Sequence, residues 1–88
     1  MFYRTTPLDD LLPTARCIVL ITPDAERTMN TCLGVSSKYS VKNINFDDLA
    51  LSKYLYIEGY LVTSELAIDA IKKSIAFSKE NDVKISLT

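Results

Sequence analysis

Tyr54-Leu-Tyr-Ile-Glu-Gly-Tyr60 decides the fold class, because the residues that follow it complete a folding unit. The run is aromatic and β-branched, which predicts a buried strand with Leu55 and Ile57 on one face. Thr63 is placed to cap a helix that carries Glu65 in its first turn and extends to about Asn81. Ala67, Ala70, Ile71, Ile75 and Ser78 recur at helical spacing and form its packing stripe. Val83 to Leu87 follows at once as a second strand. Strand, helix and strand in immediate succession imply two parallel strands joined by a right-handed crossover, and therefore an α/β sheet.

Parallel strands are normally covered on both faces, yet the sequence supplies one long helix. It closes on Ile85-Ser86-Leu87-Thr88, inside a strand, and so reads as interrupted. The sheet is expected to be incomplete, with one face and at least one edge bare.

Upstream, Cys17 to Thr22 is a β-branched run, followed by Pro23-Asp24-Ala25-Glu26 and a second extended segment, Arg27 to Gly34. This pattern predicts a β-hairpin. With Asp24 and Ala25 as its two central turn residues, Leu20 faces Met29, Ile18 faces Thr31 and Cys17 faces Cys32. Ile18, Leu20, Met29 and Leu33 then share a face that goes to the core, and Val19, Ile21, Thr28 and Asn30 share the other. Ala25 stands where a two-residue primed turn wants glycine, so a wider loop is the alternative. Residues 35 to 53 are polar and include a short helix over Asp47 to Lys53, with Asn45 or the residue after it as N-cap. Residues 1 to 14, with Pro7, Pro13 and the pair Asp9-Asp10, read as loop. The whole of residues 1–88 is expected to form one partial domain.

The composition narrows the chemistry. Hydrophobic residues make up 48% and charged residues 24%, a globular balance. A formal charge of −1 with scattered Lys and Arg gives no basic stripe for nucleic acid. No apolar run approaches the ~20 residues needed to cross a bilayer, and the N-terminus lacks a signal-peptide pattern, so a cytoplasmic location without membrane contact is expected. Histidine is absent, which removes the commonest general base and zinc ligand. With two glycines there is no phosphate-cradling loop. Cys17 and Cys32 are too far apart for a CxxC pair and are expected as free thiols in a reducing compartment. No catalytic, metal-binding or cofactor-binding set emerges.

Three stretches carry a family resemblance. Thr14-Ala-Arg-Cys-Ile-Val-Leu-Ile-Thr-Pro-Asp-Ala-Glu-Arg-Thr-Met-Asn-Thr-Cys-Leu-Gly34 resembles the central hairpin segment of ribokinase-like (PfkB) carbohydrate and adenosine kinases. Tyr54 to Leu61 resembles the core strand that follows it in that family, and Lys79 to Thr88 resembles the end of the next helix and strand. The resemblance covers nearly the whole chain and implies a partial ribokinase-like fold: an N-terminal hairpin followed by a β-α-β unit with parallel strands. Ala25 and Asp82 depart from it, since the family usually has glycine at both places.

The same resemblance implies ATP- and Mg-dependent phosphoryl transfer to a hydroxyl of a sugar or nucleoside in the intact enzyme. The family's Gly-Ala-Gly-Asp catalytic motif and N-terminal Gly-Gly signature are not in this sequence. The expectation is a truncated kinase segment, inactive alone. The alternatives are one half of a split kinase, or a small binding module that self-associates or pairs with a partner through its bare sheet edge. Two residues stand out as substrate-contact candidates. Glu58 sits near the C-terminal end of a parallel strand, where open α/β sheets bind ligands; the competing reading has its carboxylate accept N–H groups from the following loop. Asn30 lies on the polar face of the hairpin, where solvation is the competing reading.

Overall fold

A computed structural model describes Pro7 and residues 11–88. The loop expected over residues 1–14 therefore lies mostly outside the described residues. The chain divides into two compact units: Lys38–Thr88 forms the body of one, and Leu8–Ser37 forms the other.

In the first unit, β3 (Tyr54–Ile57) and β4 (Lys84–Leu87) pair in parallel, with Leu55 beside Ile85 and Ile57 beside Leu87. The 16-residue helix α2 (Glu65–Glu80) joins them and packs on both strands, which gives the expected β-α-β unit. Its buried stripe is Ala67, Ala70, Ser74 and Ser78. Small side chains at these positions let the helix approach the sheet closely, while Ile71 and Ile75 are half-buried at its flanks. The short helix α1 (Phe46–Ala50) also packs on α2, and the Phe46 and Phe77 rings meet at 4.9 Å. Leu49, Ile57, Ala67, Ala70 and Val83 are its buried hydrophobic residues.

The caps show why these elements start and stop where they do. The Asn45 side chain accepts from the Asp48 N–H at 3.1 Å and starts α1 as expected, but the helix ends at Ala50 rather than Lys53. Ser64, not Thr63, caps α2, accepting from the Ala67 N–H at 3.2 Å. At the other end of α2, Asp82 adopts φ 57° and the Val83 N–H donates to the Ser78 carbonyl at 2.9 Å. This is a Schellman-type closure in which glycine is the usual residue at the left-handed position. β3 ends at Ile57, three residues short of the strand expected to reach Tyr60, because Gly59–Leu61 turns into a 3-10 helix.

In the second unit, β1 (Arg16–Ile21) pairs antiparallel with β2 (Arg27–Cys32). The hairpin is as expected; its register is not. Val19 faces Met29, Ile18 faces Asn30 and Cys17 faces Thr31. The loop is the cause. The Ala25 N–H donates to the Thr22 carbonyl and the Thr22 N–H to the Glu26 carbonyl, both at 3.0 Å, while Ala25 takes φ 65°. This is a three-residue loop closed by a left-handed residue, and the extra residue shifts the pairing by one.

The shift regroups both faces. Ile18 and Leu20 lie with Thr28 and Asn30, whereas Val19 and Ile21 lie with Arg27, Met29 and Thr31. Cys17 and Cys32 fall on opposite faces and are free thiols. The expected core face of the hairpin does not form: Ile18, Leu20, Met29 and Leu33 are all exposed. The unit is closed instead by Gly34, whose φ is 53°, and by the Val35 N–H, which donates to the Pro13 carbonyl at 2.8 Å.

Candidate functional site

Glu58 follows directly on β3, at the C-terminal end of the parallel pair, and is half-buried. Its backbone remains extended at φ −99° and ψ 122°, so alternation places it on the same face as Tyr54 and Tyr56. Thr88, the residue after β4, spans it: the Thr88 N–H donates to the Ile57 carbonyl at 3.0 Å, and the Gly59 N–H donates to the Thr88 carbonyl at 2.7 Å. Main-chain bonds on either side thus fix the Glu58 backbone. Gly59 allows this approach, since a Cβ there would lie 3.0 Å from the Thr88 oxygen.

The Glu58 side chain does not cap the following 3-10 turn. The competing reading, a carboxylate occupied by loop N–H groups, is therefore not what the structure has. Its partner is Tyr60, whose phenol donates to the carboxylate, and this hydrogen bond together with the carboxylate's charge raises the Tyr60 pKa above 10.0. Tyr60 is exposed. Tyr60 was not among the candidates read from the sequence; the Glu-x-Tyr spacing after a strand was the available signal. A carboxylate with a phenol beside it at a strand end can accept and donate hydrogen bonds to a hydroxyl-rich ligand.

Asn30 is exposed on β2, opposite Ile18. It belongs to the hairpin unit and Glu58 to the β-α-β unit. Its expected neighbours, Val19 and Ile21, are replaced by Ile18 and Leu20 through the register shift. Among the described residues, no group of three or more His, Cys, Asp or Glu side chains is placed to hold a metal ion. Nor is any helix among them long and apolar enough to cross a membrane.

No family model matches the sequence, and no curated protein matches it. Solved structures do. The chain superposes on adenosine kinase from Sinorhizobium meliloti with a TM-score of 0.84 and 36% identity over 96% of its length. A probable sugar kinase protein from Rhizobium etli CFN 42 gives 0.84 and 32% identity over 97%. The chain is a segment of ribokinase-like (PfkB) fold. A ribokinase II from E. coli, at 23% identity and a TM-score of 0.81, adds likeness of fold alone. This ribokinase-like segment spans about a quarter of the proteins it matches: 26%, 26% and 25% of their chains. Its hairpin and β-α-β unit are thus a continuous portion of that fold.

Proposed function

We propose that this chain supplies one strand end of the substrate site of an ATP-dependent sugar or nucleoside kinase, with Glu58 as a ligand for a substrate hydroxyl, and that it does not transfer phosphate by itself. The observation that carries the reading is the position of Glu58. It lies at the C-terminal end of a parallel strand, backbone held on both sides by Thr88, in a segment 36% identical to an adenosine kinase. Ligands of open α/β sheets bind at that end of the strands.

Phosphoryl transfer needs a base for the attacking hydroxyl, groups that cradle the phosphates and a metal to offset their charge. ATP and Mg would supply the transferred group and that charge compensation in the intact enzyme. This chain's own residues are assigned a smaller task. The Glu58 carboxylate accepts from a substrate hydroxyl, and the Tyr60 phenol orients the carboxylate.

Titration of the purified 88-residue chain with adenosine, ribose and ATP, followed through backbone amide shifts, tests the reading. Adenosine or ribose is expected to perturb the Glu58, Gly59 and Tyr60 amides, an effect abolished by Glu58→Gln, and ATP is expected to perturb none. Phosphorylation of either acceptor by the chain alone would overturn the claim of inactivity. Unmoved Glu58 and Gly59 amides at saturating ligand would remove Glu58 from the site.

A further inference from the structure

The hairpin leaves one apolar edge open. Cys17-Ile-Val-Leu-Ile-Thr22 carries no charge, proline or glycine, and Ile18, Val19, Leu20 and Ile21 are all exposed. β1 and β2 alone form this sheet, so the outer edge of β1 has no strand beside it among the described residues. The hydrogen-bond pattern decides which groups lie on that edge. The Thr22 N–H donates to the Glu26 carbonyl, so by alternation Arg16, Ile18 and Leu20 turn their backbone groups to β2, and Cys17, Val19 and Ile21 turn theirs outward. The Thr31 hydroxyl reaches the Cys17 sulfur at 3.4 Å, as the closer side chains of a non-hydrogen-bonded pair allow. A short, uncharged, β-branched strand with a free edge is a template for another strand.

We infer that β1 pairs antiparallel with β1 of a second copy about a two-fold axis through Val19, giving a four-stranded sheet in the order β2-β1-β1-β2. In this register the outward groups match themselves. Val19 meets Val19, and Cys17 meets Ile21 of the second copy, so the N–H and carbonyl groups of all three residues find partners. Charge selects the direction. Arg16 falls opposite Thr22 of the second copy, whose hydroxyl donates to Asp24, so each guanidinium comes beside the loop carboxylate of the other copy. A parallel, in-register stack would instead set Arg16 on Arg16 and Asp24 on Asp24. An exposed ion pair of this kind contributes little affinity and chiefly fixes register. Pairing also places Met29, Val19 and their two mates in one row across the new sheet. Assembly stops at two copies, because both outer edges are then β2, where Arg27 and Asn30 interrupt the apolar run. Edge pairing adds no cover to either face of the hairpin. It uses the hairpin unit, which does not contain Glu58, and so is independent of the kinase reading.

Sedimentation equilibrium and amide hydrogen exchange on the 88-residue chain test the pairing. A monomer–dimer equilibrium is expected. The Cys17, Val19 and Ile21 amides are expected to exchange at least about tenfold more slowly when the dimer is populated than on dilution, while the Ile18 and Leu20 amides, which bond β2, change much less. Val19→Pro removes an outward N–H that β2 does not use, and is expected to abolish the dimer while the Ile18 and Leu20 amides keep their protection. A cross-link gives a readout that does not depend on the proline variant folding. In a Cys17→Ser, Cys32→Ser background, Val19→Cys treated with diamide is expected to give a disulfide-linked dimer, since facing residues of a hydrogen-bonded antiparallel pair lie about 5.5 Å apart between Cα atoms, within disulfide reach. Thr28→Cys, on β2, is expected to remain a thiol. A chain that stays monomeric at every concentration would overturn the inference, as would protection of the three outward amides that does not change on dilution. Equal cross-linking of the two cysteine variants, or growth beyond two copies, would also sink it.

Discussion

Gly34 has φ 53°, and a Cβ placed on it would lie 2.1 Å from the Pro13 carbonyl oxygen, so backbone conformation and space exclude a side chain together. The oxygen cannot retreat without loss, because it accepts from the Val35 N–H at 2.8 Å. Gly34→Ala is expected to cost at least about 1 kcal/mol from the left-handed conformation, with the clash added to it. Faster hydrogen exchange at the Val35 amide reads the effect directly. Ala25 is the converse case: it holds φ 65° in open loop, and Ala25→Gly removes the strain of a side chain there. The Glu58–Tyr60 pair gives a pH-dependent signature. Its folded-state pKa is raised, so the contribution of the neutral phenol is present below pH 10 and is lost as pH rises through the folded value. Glu58→Gln is expected to move the Tyr60 titration, followed by NMR at the phenol carbon, back toward 10.0. An unchanged titration would mean that the carboxylate is not the phenol's partner.

At the scale of elements, the helix cap is a measurable contributor. Ser64→Ala removes the acceptor of the Ala67 N–H and is expected to cost about 1 kcal/mol, read as a lower thermal midpoint, while Thr63→Ala is expected to do much less. The contrast matters because the sequence reading chose Thr63. Two adjacent good caps are not separable by residue type alone; the turn at Gly59–Leu61 decides which one meets the first free N–H groups. The helix itself was legible, since sixteen residues with a continuous small-residue stripe admit one period. Ser74 was not in the expected stripe, which ran through Ile71 and Ile75 instead, yet it is buried with its hydroxyl donating to the Ala70 carbonyl at 2.8 Å. The hairpin was legible as an element but not in register. Asp24 turns its carboxylate to the Thr22 hydroxyl and the Glu26 N–H, which lowers its pKa and stabilises the wider loop. That local bond, set beside Pro23, was the signal for three loop residues rather than two. One residue of difference moved Met29 from the side of Leu20 to that of Val19.

For the whole molecule, the balance between covered and uncovered apolar surface determines how cooperatively the chain unfolds. Its buried hydrophobic residues among those described are Leu49, Ile57, Ala67, Ala70 and Val83, and two of the five are alanines. Ile18, Leu20, Ile21, Met29, Tyr54, Tyr56 and Leu87 are each more than half exposed. One buried group works against the core: the Ser78 hydroxyl is fully buried and has no hydrogen-bond partner. An unmade bond of this kind costs about 1–3 kcal/mol, so Ser78→Ala is expected to stabilise the chain or leave it unchanged. The denaturant slope scales with the apolar and polar area exposed on unfolding and is about 1–3 kcal/mol/M in urea for small complete domains. A segment that leaves most of its large hydrophobic side chains in water has little additional area to expose. The isolated chain is expected to unfold with a urea slope below about 1 kcal/mol/M and to bind an apolar dye such as ANS before any denaturant is added. The slope is expected to rise to that of a complete domain when the same residues replace the matched quarter of a full-length ribokinase-like kinase. A steep transition in the isolated chain, without dye binding, would mean that the uncovered faces are already buried by self-association. That outcome would make the segment a stable assembly in its own right.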